Sequence, residues 1–271
     1  MSGRRLQLKA VPALRVDLRT IVPLVLAAMS DAEIEHLPLG YGNAKVALGE
    51  FFRLLPEAGD ALVFEGDLSR FDHVGWQMAG GRLVVEGSVG DHAGGCMTAG
   101  EVVIAGNAGA LAACEMAGGS LTVAGNVGDF AASTLPGSMD GMRGGCLIVK
   151  GDAGQRFGDR MRRGSALVFG RVGDFVASRM VAGTIGVGGG CGIHPGYGMR
   201  RGSVVFADAS IRLDTAGRFV PALADADVFW QLLARDLARH GGPFEGLASR
   251  RIERHLGDVT ASGKGELIFA S

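Results

Sequence analysis

The chain has 271 residues, 46 of them glycine, and a formal net charge of −1. A near-neutral balance argues against a general nucleic-acid or membrane-surface role. The longest apolar stretch near the start, Ile21 to Met29, is too short to span a bilayer and lacks the flanks of a signal peptide. The expectation is therefore a cytoplasmic protein with neither nucleic acid nor membrane as a partner.

Residues 1–58 carry no repeat and read as an N-terminal capping segment. They open with a strand-like stretch around Leu6 and Leu8. Ser30-Asp31-Ala32-Glu33-Ile34 then has the form of a helix start with an acidic first turn. From residue 59 to residue 208 the chain is periodic. Met78, Met97, Met116, Met142, Met161, Met180 and Met199 are spaced 19, 19, 26, 19, 19 and 19 residues apart, and the 26 is one period plus an insertion, Leu135 to Gly141. Glycine follows each Met three residues on, and the first six also nine and twelve residues on; Gly119, Gly125 and Gly128 are one such set. A fixed period of about twenty residues marks a solenoid.

Between the first and second glycine of each period lies a short, largely apolar run such as Val102-Val103-Ile104 or Leu147-Ile148-Val149. It is too short for a helix and reads as a strand. Side chains five and seven after the Met share one strand face and are almost wholly apolar, so that face points inward. The Met column and the columns eleven and sixteen residues on should line the interior as well. Glycine supplies positive φ, as expected at Gly128 in the column twelve after the Met, or close approach to the next coil, at no steric cost. Three glycine columns suggest three corners, hence a right-handed parallel β-helix rising about 4.8 Å per coil. A leucine-rich horseshoe fails for want of a Leu/Asn ladder and a helical segment in the repeat. Residues 209–271 form a C-terminal extension. Ala222 to Arg239 carries a helical apolar stripe, read as capping the last coil ahead of docking on a partner, and Gly263 to Phe269 reads as a turn and a strand.

Candidate chemistry is sparse. The four cysteines occupy four different columns with no Cys-x-x-Cys pair, so they read as buried or idle thiols. The Met column suits a flexible core filler better than a copper site. His73 and His92 stack one coil apart without a carboxylate or cysteine in register, which favours a surface ladder over a metal site. No catalytic constellation and no metal set stand out. The exception is a basic corner. Arg143, Arg162 and Arg200 share the column one after the Met, Arg163 and Arg201 share the next, and Arg160 and Arg179 each precede a Met. Stacked like charges repel. They call for acid, either from this chain or a neighbour or as an extended polyanion paired to guanidinium forks.

The repeat, with phrases such as Gly87-Ser88-Val89-Gly90-Asp91 and Gly125-Asn126-Val127-Gly128-Asp129, resembles the glycine-repeat β-helix domain found at the C-terminal end of glutamate synthase large subunits and as the C subunit of formylmethanofuran dehydrogenase. The likeness covers at least residues 60–210. Leu37-Pro38-Leu39-Gly40-Tyr41-Gly42-Asn43 and Gly263-Lys264-Gly265-Glu266-Leu267 resemble the ends of the stand-alone C subunit. The Ala/Arg-rich, Lys-poor composition favours its bacterial counterpart in the formyltransferase/hydrolase complex. The resemblance implies a non-catalytic scaffold beside an amidohydrolase-like hydrolase subunit, a formyltransferase subunit and a further structural subunit. Such an assembly moves a formyl group from formyl-tetrahydromethanopterin to a methanofuran-type carrier and releases formate. No cofactor is expected on this chain alone, although the carrier's glutamates would suit the Arg143, Arg162, Arg163, Arg200, Arg201 corner. An amide- or ammonia-handling role like that of the glutamate synthase domain is the alternative. A free-standing carbohydrate-active β-helix is a third reading, weakened by the lack of clustered outward Asp or Glu.

Overall fold

The computed structural model describes residues 3–211, 217–223 and 226–271. The chain is mainly β, and among the described residues one large, mostly parallel sheet has 13 strands and a second sheet has four. The apolar runs of the repeat are its central strands: Ala79–Val85, Ala99–Ile104, Ser120–Val123, Arg143–Val149, Arg163–Val168, Thr184–Val187 and Arg201–Phe206. Each pairs in parallel with its equivalent one period away, so Leu121 faces Val102 on one side and Leu147 on the other. The inward reading holds. Leu83, Val85, Val102, Ile104, Leu121, Val123, Leu147 and Val149 have no exposed surface, and neither has any of the seven repeat methionines. At about 1.5–3 kcal/mol for each large apolar side chain buried, every period adds its own share of core.

A second ladder runs through the column eleven after the Met, where Val127 bridges Ala108 and Ala153, and Ala153 bridges Val172 in turn. The stretch that follows this ladder in each period is not a strand. Except at Thr134 beside the insertion, residues 14, 16 and 18 after the Met adopt left-handed backbone, as in Leu111, Ala113 and Glu115 (φ 61°, 55° and 52°) or Phe175, Ala177 and Arg179 (59°, 58° and 54°). This conformation is disfavoured for non-glycine residues. Their N–H groups are satisfied by neighbouring periods: Leu111 N donates to Asp129 O and Ala113 N to Ala93 O. Nothing in the side-chain pattern announces this run.

The three glycine columns divide by cause. Three after the Met, φ is positive, as at Gly119 (81°), and a Cβ there would also meet Gly100 O at 2.7 Å. Twelve after the Met the expected positive φ is absent. Glycine is required there by close approach: a Cβ on Gly128 would sit 2.8 Å from Ala110 N, and one on Gly109 2.1 Å from Asp91 Oδ1. That carboxylate oxygen accepts the N–H of Ala110 at 2.9 Å. The same bond recurs from Asn126 N to Asn107, Asp152 N to Asn126, Gln155 N to Asp129 and Arg171 N to Asp152, at 2.7–2.8 Å. Where Asn or Asp follows one of these glycines it thus caps the backbone of the next period, and that period's glycine leaves room for it.

At the start, Gly3–Leu8 extends the large sheet, parallel to Leu62–Glu65 and antiparallel to Phe52–Glu57. The expected helix is Asp31–Glu35, closed by a Ser30/Glu33 capping box. At the other end, Lys264–Ala270 returns to pair in parallel with Arg201–Phe206, and Ile252–Gly257 follows antiparallel. These strands, not the helix, continue the sheet past the last repeat strand. The helix spans Asp227–Ala238, shorter than the expected 222–239, of which residues 224 and 225 lie outside the described residues. Its Trp230, Ala234 and Leu237 pack against Leu167, Val205 and Ile268, the middle, outward positions of three strands. Capping the last period is therefore corrected to covering a flank.

Gly128→Val should lower stability by about 1–3 kcal/mol through overpacking against the preceding period. Cys146→Ser, at a half-buried position, should shift the thermal midpoint far less. Cys114 is fully buried and is the poorer control, because serine there would bury a hydroxyl. Thermal melts of both variants that rank them the other way would refute the close-approach argument.

Candidate functional site: an arginine-lined groove

Arg143, Arg162, Arg163, Arg200 and Arg201 come together. With Val181, Ala182 and Ser262 they line one open groove of about 670 Å³. The cause is register: parallel pairing sets Arg143 opposite Arg163, and Arg201 opposite Lys264, a further cation that the repeat pattern did not include. All five arginines are exposed. Arg162 pairs with Asp140 at 2.5 Å. Among the described residues no carboxylate lies within ion-pair distance of the other four. Bridging among the described residues therefore accounts for one arginine of the five.

The two arginines before the Met column serve another purpose. Asp159 is 2% exposed and accepts a forked pair of bonds from Arg179 at 2.9–3.1 Å, with Arg160 at 3.8 Å. This buried carboxylate anchors the corner beneath the insertion. The insertion folds back on the flank: Leu135 N donates to Glu115, and Arg160 reaches Met139. Gly141 belongs to the stack, since it is buried and a Cβ there would meet Asp159 O at 2.6 Å.

The thiols are quiescent. Burial pushes Cys191 up to about 12 and raises Cys114, Cys146 and Cys96 as well, with Glu115 adding to the rise at Cys96. At neutral pH they remain protonated and poorly nucleophilic. His73 and His92 stack at 4.7 Å, and His73 Nδ1 lies 3.1 Å from Asp17. A carboxylate does therefore stand beside the ladder, supplied by the N-terminal segment, which periodicity could not reveal. Among the described residues, no group of three His, Cys, Asp or Glu side chains has metal-holding geometry. No helix among them is long and apolar enough to cross a membrane.

No protein-family model matches the chain. Over 76 residues, 28% of its length, it is 41% identical to the C subunit of the formyltransferase/hydrolase complex Fhc of Methylorubrum extorquens. Over 86 residues it is 33% identical to the C subunit of the tungsten-containing formylmethanofuran dehydrogenase 2 of Methanothermobacter marburgensis. These alignments span 29% and 32% of the two curated relatives. The structural likeness is end to end. One chain of the crystal structure of the formyltransferase/hydrolase complex FhcABCD from Methylorubrum extorquens, in complex with methylofuran, matches with a TM-score of 0.91 at 39% identity, covering 98% of this chain and 99% of that one. The fold thus defines the class, a mainly β repeat protein of the kind that serves as one member of a hetero-oligomeric complex. Within it, this chain belongs to the C-subunit family of formyltransferase/hydrolase complexes and formylmethanofuran dehydrogenases.

Burial, and then the neighbouring His73, hold His92 below its ordinary value, against the opposing pull of Asp91 and Asp72; Arg19 also lowers it. Protonation of His92 therefore opposes folding. Its contribution is present above about pH 6.5 and is lost as pH falls through the lowered folded value. His92→Phe should keep the stack and flatten the fall of thermal midpoint between about pH 7 and pH 5. An unchanged slope would assign that fall to other groups.

Proposed function

We propose that this chain is the non-catalytic structural C subunit of a formyltransferase/hydrolase complex. In this reading the assembly takes the formyl group of formyl-tetrahydromethanopterin onto a furan-type carrier and releases it as formate. The observation that carries the proposal is the end-to-end match to a chain of such a complex. The partners are an amidohydrolase-like hydrolase subunit, a formyltransferase subunit and a further structural subunit. The match also favours this assembly over the glutamate-synthase-like alternative. The stacked periods are read as a right-handed parallel β-helix, residues 59–208, between an N-terminal cap, 1–58, and an extension, 209–271. Right-handed crossover is the hand that parallel strands of one sheet overwhelmingly take. The setting in this reading is the cytoplasm.

The Arg143, Arg162, Arg163, Arg200 and Arg201 groove faces acid in the assembly, as a carboxylate-rich partner surface or a glutamate-bearing tail of the carrier. Four arginines that meet no carboxylate among the described residues, in one groove, support this, because the guanidinium is a planar fork suited to carboxylates. The chain purified alone should fold and show no formyl hydrolysis. Hydrolysis by the single chain, abolished by one point mutation in it, would sink the scaffold role. Replacing Arg162 and Arg200 together with Gln should weaken carrier retention or subunit docking, most at low salt where exposed charges are least screened. Native carrier content, assembly and turnover across a salt series would leave the groove a solvated surface.

A further inference from the structure

We propose that Asp140 occupies one carboxylate subsite of the arginine groove, and that a longer run of carboxylates displaces it, so that the insertion acts as a built-in competitor for the groove. The inference rests on the polyanion reading of the groove. Its starting point is the one anion that the described residues place on these arginines, a carboxylate at 2.5 Å from Arg162. That contact names the ligand chemistry: a carboxylate already seats on this guanidinium.

The pair is poised for exchange. Both side chains are more than two-fifths exposed, 43% for Arg162 and 41% for Asp140, and an exposed pair of this kind holds weakly. Asp140 is also not what holds the insertion down. Leu135 N is bound to Glu115, and Gly141 N donates to Arg160 O at 3.0 Å. Met142 N donates to Ala132 O across the insertion, so register resumes whether or not Asp140 stays. The carboxylate can therefore swing off Arg162 while its flanks remain fixed.

The groove is longer than one carboxylate. Cations occur on the strand of Arg143, on that of Arg163, on that of Arg201, and on that of Lys264 beyond it. Val181 and Ala182 interrupt them in the middle. Five strands at about 4.8 Å spacing span roughly 19 Å, the length of about six extended residues at about 3.3 Å each. Asp140 covers one end only. A ligand with carboxylates at both ends reaches Arg200 and Arg201, which Asp140 does not pair with, and so outcompetes a single side chain by linked binding.

The test is a titration of the full chain with fluorescein-labelled hexaglutamate in low-salt buffer. The native chain should bind it, Arg200→Gln should weaken binding, and Asp140→Asn should tighten it about two- to fivefold, the range an exposed pair can supply. Asp140→Glu, which keeps the charge, should bind like the native chain, and thermal melts should show all three variants folded. If the native chain binds and Arg200→Gln weakens it, but Asp140→Asn leaves affinity unchanged or lower, the competitor role is overturned and the groove reading stands. If no variant binds hexaglutamate, the groove reading falls as well. Repeating the titration on the assembled complex separates two sources of carboxylate. A flexible tail leaves the groove accessible and binding persists, as we expect, whereas loss of binding on assembly would overturn the tail in favour of an acidic partner face.

Discussion

Everything in this chain depends on how closely one period can approach the next. The Asn or Asp that follows a glycine accepts, through its side-chain oxygen, the backbone N–H of the neighbouring period, as Asn107 does from Asn126 and Asp129 from Gln155. A Cβ on the facing glycine would fall on that oxygen: 2.3 Å at Gly125, 2.2 Å at Gly154. Removing the side chain at one position makes room for the hydrogen bond at the next. The contact also fixes register, since a slip of one residue would set the carboxamide against a Cβ and leave a backbone donor unpaired. Strand pairing, the inward columns and the arginine stack all inherit their alignment from it.

The surface follows from the same constraint. Because equivalent residues must lie side by side, any outward residue type repeated in one column becomes a row. The cost is a stack of like charges, tolerated where side chains splay into water and where an acid is near. One flank is treated differently: Leu167, Val205 and Ile268 point outward and are covered by Trp230, Ala234 and Leu237 of the Asp227–Ala238 helix. The same strand that turns Val204 inward turns Val205 outward, so two cores share one sheet.

Periodicity made the repeat legible: the methionine column, the inward strand positions and the five-arginine cluster are all spacing arguments, and the structure places them as spacing requires. What spacing could not carry is contact between segments of unlike sequence. Asp17 beside His73 comes from an N-terminal strand that pairs with Phe71–Asp72, Lys264 beside Arg201 from a strand about sixty residues on, and Asp140 on Arg162 from the insertion. The left-handed run was illegible for a different reason. Its residues include His, Leu, Phe, Glu and Arg, whose side chains give no sign of the backbone they adopt. Its stability comes from bonds to adjacent periods, not from local propensity. The positive φ assigned to Gly128 failed because glycine answers two needs, and the sequence pattern does not say which.

The return of the last strand has a consequence for synthesis. Arg201–Phe206 gains its outer neighbour only when Lys264–Ala270 arrives, about sixty residues later in synthesis. At about 5–20 residues per second, that leaves a parallel edge without its partner for roughly three to thirteen seconds on every nascent chain. Such an edge is a template for foreign strands. Arg200 and Arg201, at the start of that strand, place two positive charges at the opening of the bare edge, where repulsion between copies works against edge-to-edge pairing. The same arginines that line the groove in the finished protein thus guard its least protected moment during birth.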